Sequence, residues 1–235
     1  MFGAALTVFG VTFFMWLGFW QLSRADQKQA LLDRYATGQQ TQVEITPQNA
    51  ASLQRYQRVQ VSGRFDPTHQ ILLDNMPSHA GQPGYRVLTP FETAAGWLLV
   101  DRGWIALGST RSELPDITVG NDPRTLTGTI DDLPRAGIEL KSPPVDANAP
   151  WPRTLSFPQQ PALEQQLGRK LVSGLLLLDA SQPDGYERTW EAHLGFRPER
   201  HIGYAVQWFA FAIAAVILFV ITGFRTKKAT DESTR

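Results

Sequence analysis

Residues 2–22 read FGAALTVFGVTFFMWLGFWQL, and residues 202–224 read IGYAVQWFAFAIAAVILFVITGF. Neither stretch carries a charged side chain, and the first charge in the chain is Arg24. A helix needs about 20 apolar residues to cross the hydrocarbon layer of a bilayer. Both stretches meet that length, so one membrane span is expected near each end of the sequence. The competing reading of the first stretch is a cleaved signal peptide, which has a positive start, a shorter apolar core and small residues at the cleavage site. No Lys or Arg precedes this core, and Trp16, Phe19 and Trp20 stand where small residues belong. The anchor reading is the better one. The second stretch is bounded by Arg197, Glu199, Arg200 and His201 on one side and by Arg225, Lys227 and Lys228 on the other. Tyr204, Trp208 and Phe209 at its start suit an interfacial aromatic belt.

Two spans put both termini on one side. The basic cluster after the second span places the C-terminus in the cytoplasm by the positive-inside rule. Arg24, Lys28 and Arg34 follow the first span, but they are interleaved with Asp26 and Asp33, and a long loop translocates largely regardless of charge. The expected division is a transmembrane helix at 1–23, a soluble periplasmic domain at 24–198, a second transmembrane helix at 202–224 and a cytoplasmic tail at 225–235. The expected location is a bacterial inner (cell) membrane, multi-pass, with membrane lipid as a partner.

The remaining composition narrows the function. Lys plus Arg and Asp plus Glu each number 22 in 235 residues. That balance argues against nucleic-acid binding, which uses a basic surface. The absence of cysteine removes disulfides, thiolate zinc sites and cysteine nucleophiles, and it suits an oxidising compartment.

Between the spans, residues 24–35 (RADQKQALLDRY) place Leu31, Leu32 and Tyr35 on one side of a helix that extends the first span. The pattern then changes to period two. Residues 56–65 alternate Val59, Val61 and Phe65 with polar positions, as a half-buried strand does. Residues 70–76, 85–91, 97–105, 126–130 and 171–179 read as further strands, separated by Gly, Pro, Asp and Asn turns. A helix is expected at 161–167, with Pro161 at its start. Residues 141–152, rich in proline, read as an irregular connection. The expected fold is a membrane protein of the α+β class, with two terminal transmembrane helices flanking a mostly antiparallel β extracytoplasmic domain with helical additions.

Catalytic motifs are missing. There is no glycine-rich phosphate loop and no GxSxG elbow. His69, His79, His193 and His201 form no metal-binding spacing. Asp131 and Asp132 are adjacent and read as a solvated turn. The protein is therefore not expected to be an enzyme. His201 is distinguished by its place where the second span begins. Helical spacing puts His201, Tyr204, Ala205 and Trp208 on one face, and a neutral imidazole is a good axial ligand for haem iron. Phe13, Trp16, Leu17, Trp20 and Arg24 likewise share a face of the first span. Arg24 and Arg200 at headgroup level could pair with haem propionates. The same residues also suit a plainer role as interfacial anchors.

Four blocks add a resemblance: LGFWQLSRADQK at 17–28, YQRVQVSGRF at 56–65, PGYRVLTPFE with LLVDRGWI ending at Ile105, and RHIGYAVQWFAFA at 200–212. In this order, between two spans, they resemble the Surfeit locus protein 1 family of cytochrome c oxidase assembly factors. The resemblance implies a non-enzymatic role in maturing a haem-copper oxidase. It implies transient binding of haem a, with His201 as the iron ligand, and delivery to oxidase subunit I. Other oxidase assembly factors are the further partners implied. Trp20, Arg102, Gly103 and Trp104 also match family positions, the last three in a partner-binding or structural role. The alternative is a membrane-anchored scaffold that binds subunit I or other assembly factors without touching haem.

Overall fold

The computed structural model describes residues 2–74, 76–78, 80–108, 110, 113–134, 149–156, 158–190 and 196–232, with side chains described between 3 and 223. His79, His193, most of the expected 141–152 connection and the side chains of Arg225, Lys227 and Lys228 lie outside these residues. The chain divides into two compact units, residues 1–34 with 192–235, and residues 35–191.

The first unit is built from two long helices, α1 (Phe2–Gly38) and α3 (Pro198–Glu232). Both are long and apolar enough to cross a membrane. Three threonine hydroxyls in these helices are satisfied within the helix. Thr7 and Thr12 donate to the carbonyls of Gly3 and Val8, and Thr222 donates to that of Leu218. Such back-bonding lets a hydroxyl sit in lipid without an unpaired donor. No helix break separates the apolar half of α1 from its polar half. The expected extension after Arg24 is continuous with the span.

The second unit is a β barrel with additions. Its strands are β1 (Gln42–Glu44), β2 (Arg58–Phe65), β3 (Ile71–Leu73), β4 (Gly84–Thr93), β5 (Gly96–Ala106), β6 (Arg124–Asp131), β7 (Arg153–Leu155) and β8 (Leu171–Leu178). A short helix, α2 (Gln160–Leu167), precedes β8. Strands β2, β6, β8, β5 and β4 pair in that order, and β4 returns to pair with β2, closing a ring. Most pairings are antiparallel; β1–β2, β3–β7 and β5–β8 are parallel. The ring closes because two strands share out one edge. On β4, residues 86–88 take β3 and residues 91–93 take β2. On β2, residues 58–60 take β1 and residues 63–65 take β4.

Inside the ring, Val59, Val61, Phe65, Phe91, Leu98, Val100, Leu126, Ile130, Leu176 and Leu178 pack as one core. Their spacing along each strand is two or four, as one face of a pleat requires. The opposite faces of β5 and β8 are buried too. Leu99, Leu175 and Leu177 pack with Ile71, Leu73, Leu88, Leu155 and Leu163 from β3, β4, β7 and α2. Burial on both faces explains why Leu175 to Leu178 is an unbroken apolar run. Each such leucine, fully buried, contributes about 1.5–3 kcal/mol. Helix α2 ends at Gly168, which takes the left-handed conformation (φ +64°) that glycine adopts without steric cost.

The structure adds β1 and β7, which the alternation pattern misses, and trims the strand expected at 70–76 to Ile71–Leu73. Asp131 closes β6 and pairs with Arg55 at 2.5 Å, so it is a tied strand end rather than a free turn.

Candidate functional site

The seam between α1 and α3 repeats at helical spacing on both sides. On α1 it holds Phe14, Gly18, Gln21 and Ala25; on α3 it holds His201, Ala205, Trp208 and Ala212, with both Ala205 and Ala212 buried. Phe14 stacks on Trp208 with ring centroids 5.9 Å apart and meets Phe211 at 5.8 Å. Gly18 lies against the Phe209 ring of α3. A Cβ built there would lie 2.3 Å from the Phe209 ring, so only glycine fits without displacing that ring.

One turn further along α1, the seam becomes polar. The Nδ1 of His201 is 2.8 Å from the Oε1 of Gln21. A side-chain amide oxygen can only accept, so this contact is a hydrogen bond in the tautomer that carries the proton on Nδ1. The lone pair of the neutral ring is then on Nε2, which has no hydrogen-bond partner among the described residues. Phe196 meets the imidazole edge-to-face at 6.2 Å. His201 therefore presents what a haem iron needs: an sp² nitrogen with a free lone pair, on a ring held by a hydrogen bond at its other nitrogen. The residues present fit the group that the sequence suggested.

The other expected residues are distributed around this point. His201, Ala205 and Trp208 do share the seam face. Tyr204 is 37% exposed and belongs to the outer surface of α3. Trp20 is 45% exposed on α1, with the Arg24 guanidinium 5.5 Å from its ring centroid. Arg24 also donates to Gln27 at 3.0 Å. Arg200 lies 4.2 Å from the Phe196 ring centroid. Exposed Phe9, Phe13 and Trp16 continue the aromatic face of α1. Gln21 was missed by sequence reasoning. Its signal was present: it is a lone amide in an otherwise apolar span, and a polar side chain there calls for a partner.

Arg102, Gly103 and Trp104 lie in the second unit, on β5. Arg102 is fully buried. It donates to the carbonyls of Asp184 and Ile117 at 2.6 and 2.9 Å and to Gln70 Oε1 at 2.8 Å. Its charge is thus spread over neutral acceptors, and burial lowers its pKa. Gly103 (φ +107°) lets the 184–188 segment pass close by, since a Cβ would lie 2.6 Å from Glu187 O. The backbone of Trp104 exchanges hydrogen bonds with that of Glu187, and its indole donates to Met76 O at 2.8 Å. These residues stitch the segment after β8 to the barrel. Beside them, buried Asp101 pairs with Arg86 and accepts from Gly103 N at 2.9 Å. Burial nonetheless pushes its carboxyl pKa up.

Comparison with known proteins identifies the family. The family model described as the SURF1 family matches residues 8–213. A SURF1-like protein of Rickettsia felis is 28% identical over 214 residues, covering 87% of this chain and 89% of the relative. SURF1-like proteins of Rickettsia conorii and Rickettsia prowazekii are 28% and 27% identical, each over 87% of this chain and 84% and 83% of their own length. The match runs from within the first apolar helix, through the barrel and past His201 into the second helix, and the chain belongs to the SURF1 family.

Proposed function

We propose that this protein is an assembly factor for a haem-copper terminal oxidase, and that it holds haem a through His201 while the haem passes to oxidase subunit I. One observation carries the haem part of the reading. His201 Nδ1 is engaged by Gln21 at 2.8 Å, which leaves Nε2 as the available ligand atom. Membership of the SURF1 family supports the assembly role.

When bound, haem would supply an iron that takes an imidazole ligand, together with two propionates. His201 is the ligand in this reading. Trp208 offers ring surface on the same face of α3, while Tyr204 and Trp20 present exposed rings on the outer surfaces of α3 and α1. Arg24 and Arg200 are cations at the membrane boundary that can meet propionates by charge-assisted hydrogen bonds. A single protein ligand suits a carrier, because the iron must leave again. The chain in this role is a binding protein and not an enzyme. Its orientation follows the basic residues after the second span: both termini cytoplasmic and the barrel periplasmic, in a bacterial inner membrane. The barrel is then placed to meet subunit I or other assembly factors.

The test is co-expression with the haem a biosynthetic enzymes, purification and a reduced-minus-oxidised spectrum. The expected result is haem a in the wild-type preparation and its loss from His201→Ala. Equal haem in the two preparations sinks the ligand assignment. Haem-free protein whose deletion still impairs the oxidase favours the scaffold role instead.

A further inference from the structure

We propose that Gln21 is the positioning residue of this site: it fixes His201 in the Nδ1–H tautomer and so makes Nε2 the donor to a porphyrin-bound iron. The choice of ligand rests on the haem reading above; the tautomer does not.

Gln21 and His201 are 180 positions apart in sequence, yet they meet at 2.8 Å within one structural unit. The contact depends on the helices approaching closely. Gly18, one turn before Gln21, provides that approach by leaving room for the Phe209 ring. A glutamine side chain can then reach across the seam. Both partners are partly buried, and an unmade hydrogen bond away from water is costly. Each therefore holds the other in place. Phe196 limits the tilt of the imidazole from another side.

The consequence is electronic as well as geometric. An acceptor on Nδ1–H raises the basicity of Nε2 and pushes electron density toward a bound metal. A carboxylate at position 21 would accept more strongly than the amide, and an aliphatic side chain would not accept at all. Outer partners of this kind typically change metal affinity by about 10–100-fold. A residue that merely packs two helices has no such graded effect.

The experiment uses the full chain in lipid nanodiscs, labelled with ¹⁵N-histidine, first without haem and at alkaline pH. His201→Ala assigns the His201 signals. The ¹⁵N shifts are expected to show the Nδ1–H tautomer in the wild type and a shift toward Nε2–H in Gln21→Leu. The second arm loads haem a. Gln21→Leu is expected to weaken retention by about 10–100-fold and raise the midpoint potential of what remains; Gln21→Glu is expected to keep the haem and lower its potential. An Nε2–H tautomer in the wild type overturns the proposal, as does one common potential in wild type and Gln21→Glu. Should Gln21→Leu fail to fold, the wild-type tautomer and the Gln21→Glu potential still decide. If the Nδ1–H tautomer is present but no haem binds to any form, the haem reading fails while the tautomer assignment stands on its own measurement.

Discussion

At Gly103 the backbone takes φ +107°, and a Cβ would press on Glu187 O and on the Arg188 side chain. Gly103→Ala is therefore expected to destabilise the barrel by at least about 1–3 kcal/mol, the usual cost of an L residue held in such a conformation, with crowding added. Gly81 is the natural control. It too has a positive φ (+77°), but nothing lies within 4 Å of its Cβ position. Denaturant unfolding of both variants should show the larger loss for Gly103→Ala; equal losses would mean the segment beside β5 simply moves away. The sequence block that contains Gly103 could be read as a partner surface or as structure, because both uses favour Arg and Trp. Arg102 and Gly103 are buried, and that burial depends on the 184–188 segment, some 80 positions later, which no local pattern connects to β5. A still longer separation, 180 positions, hid the pairing of Gln21 with His201. His201 was legible because its place at the edge of an apolar run is a local property. Its partner was not, because a lone amide does not state which residue it meets.

Among the elements, those with period-two alternation or a long apolar run were readable directly. Strands β2, β4, β5, β6 and β8 and both long helices fall in this group, since the burial that shapes them is written into side-chain type. Strands β1 and β7 each have three residues and little apolar alternation. They form because a parallel neighbour's edge is open to them, which is a property of the assembled sheet. The faces of the long helices were half readable. Spacing grouped His201 with Trp208 correctly, but it also added Tyr204, which is displaced far enough around the helix to leave the seam. The packing of α1 on α3 gives a test at this scale. Gly18→Leu should drive Phe209 out of its position and cost about 1–3 kcal/mol, as overpacking does. It should also disturb the His201 ¹⁵N signals by breaking the Gln21 contact. Gly10→Leu, on the same helix with open space at its Cβ position, should do neither. Detergent-titrated unfolding and the histidine spectrum check both halves of the expectation.

At the scale of the whole molecule, the two units differ in what holds them together. The helical unit depends on lipid for most of its surface, as the exposed Phe9, Trp16, Val206, Ile213 and Leu218 show. The barrel unit, residues 35–191, closes its sheet and its apolar cores on itself. Tyr35 and Trp190 near its two ends are joined by a hydrogen bond from the Tyr35 hydroxyl to the Trp190 carbonyl at 3.3 Å. Residues 35–191 alone are therefore expected to give a soluble, cooperatively unfolding protein that carries no haem. Its acid limb should report Asp66. Burial pushes the pKa of this carboxyl up, but the Arg169 guanidinium, the Thr68 N–H and His69 outweigh it, and the net shift is downward. Arg169 lies 2.5 Å from the carboxylate, and the His69 ring nitrogen 2.8 Å. A carboxyl whose folded pKa is depressed contributes stability above its unfolded pKa and loses it as pH falls through the folded value. The charged form thus ties the end of β2 to the loops before β3 and β8 at neutral pH. Asp66→Asn should lower the melting temperature at neutral pH and flatten its decline below about pH 4, where a free carboxyl begins to protonate. A melting curve of the 35–191 fragment with the same acid slope in both forms would assign the acid sensitivity to other carboxylates, and a fragment that melts without cooperativity would show that the barrel needs its helices to fold.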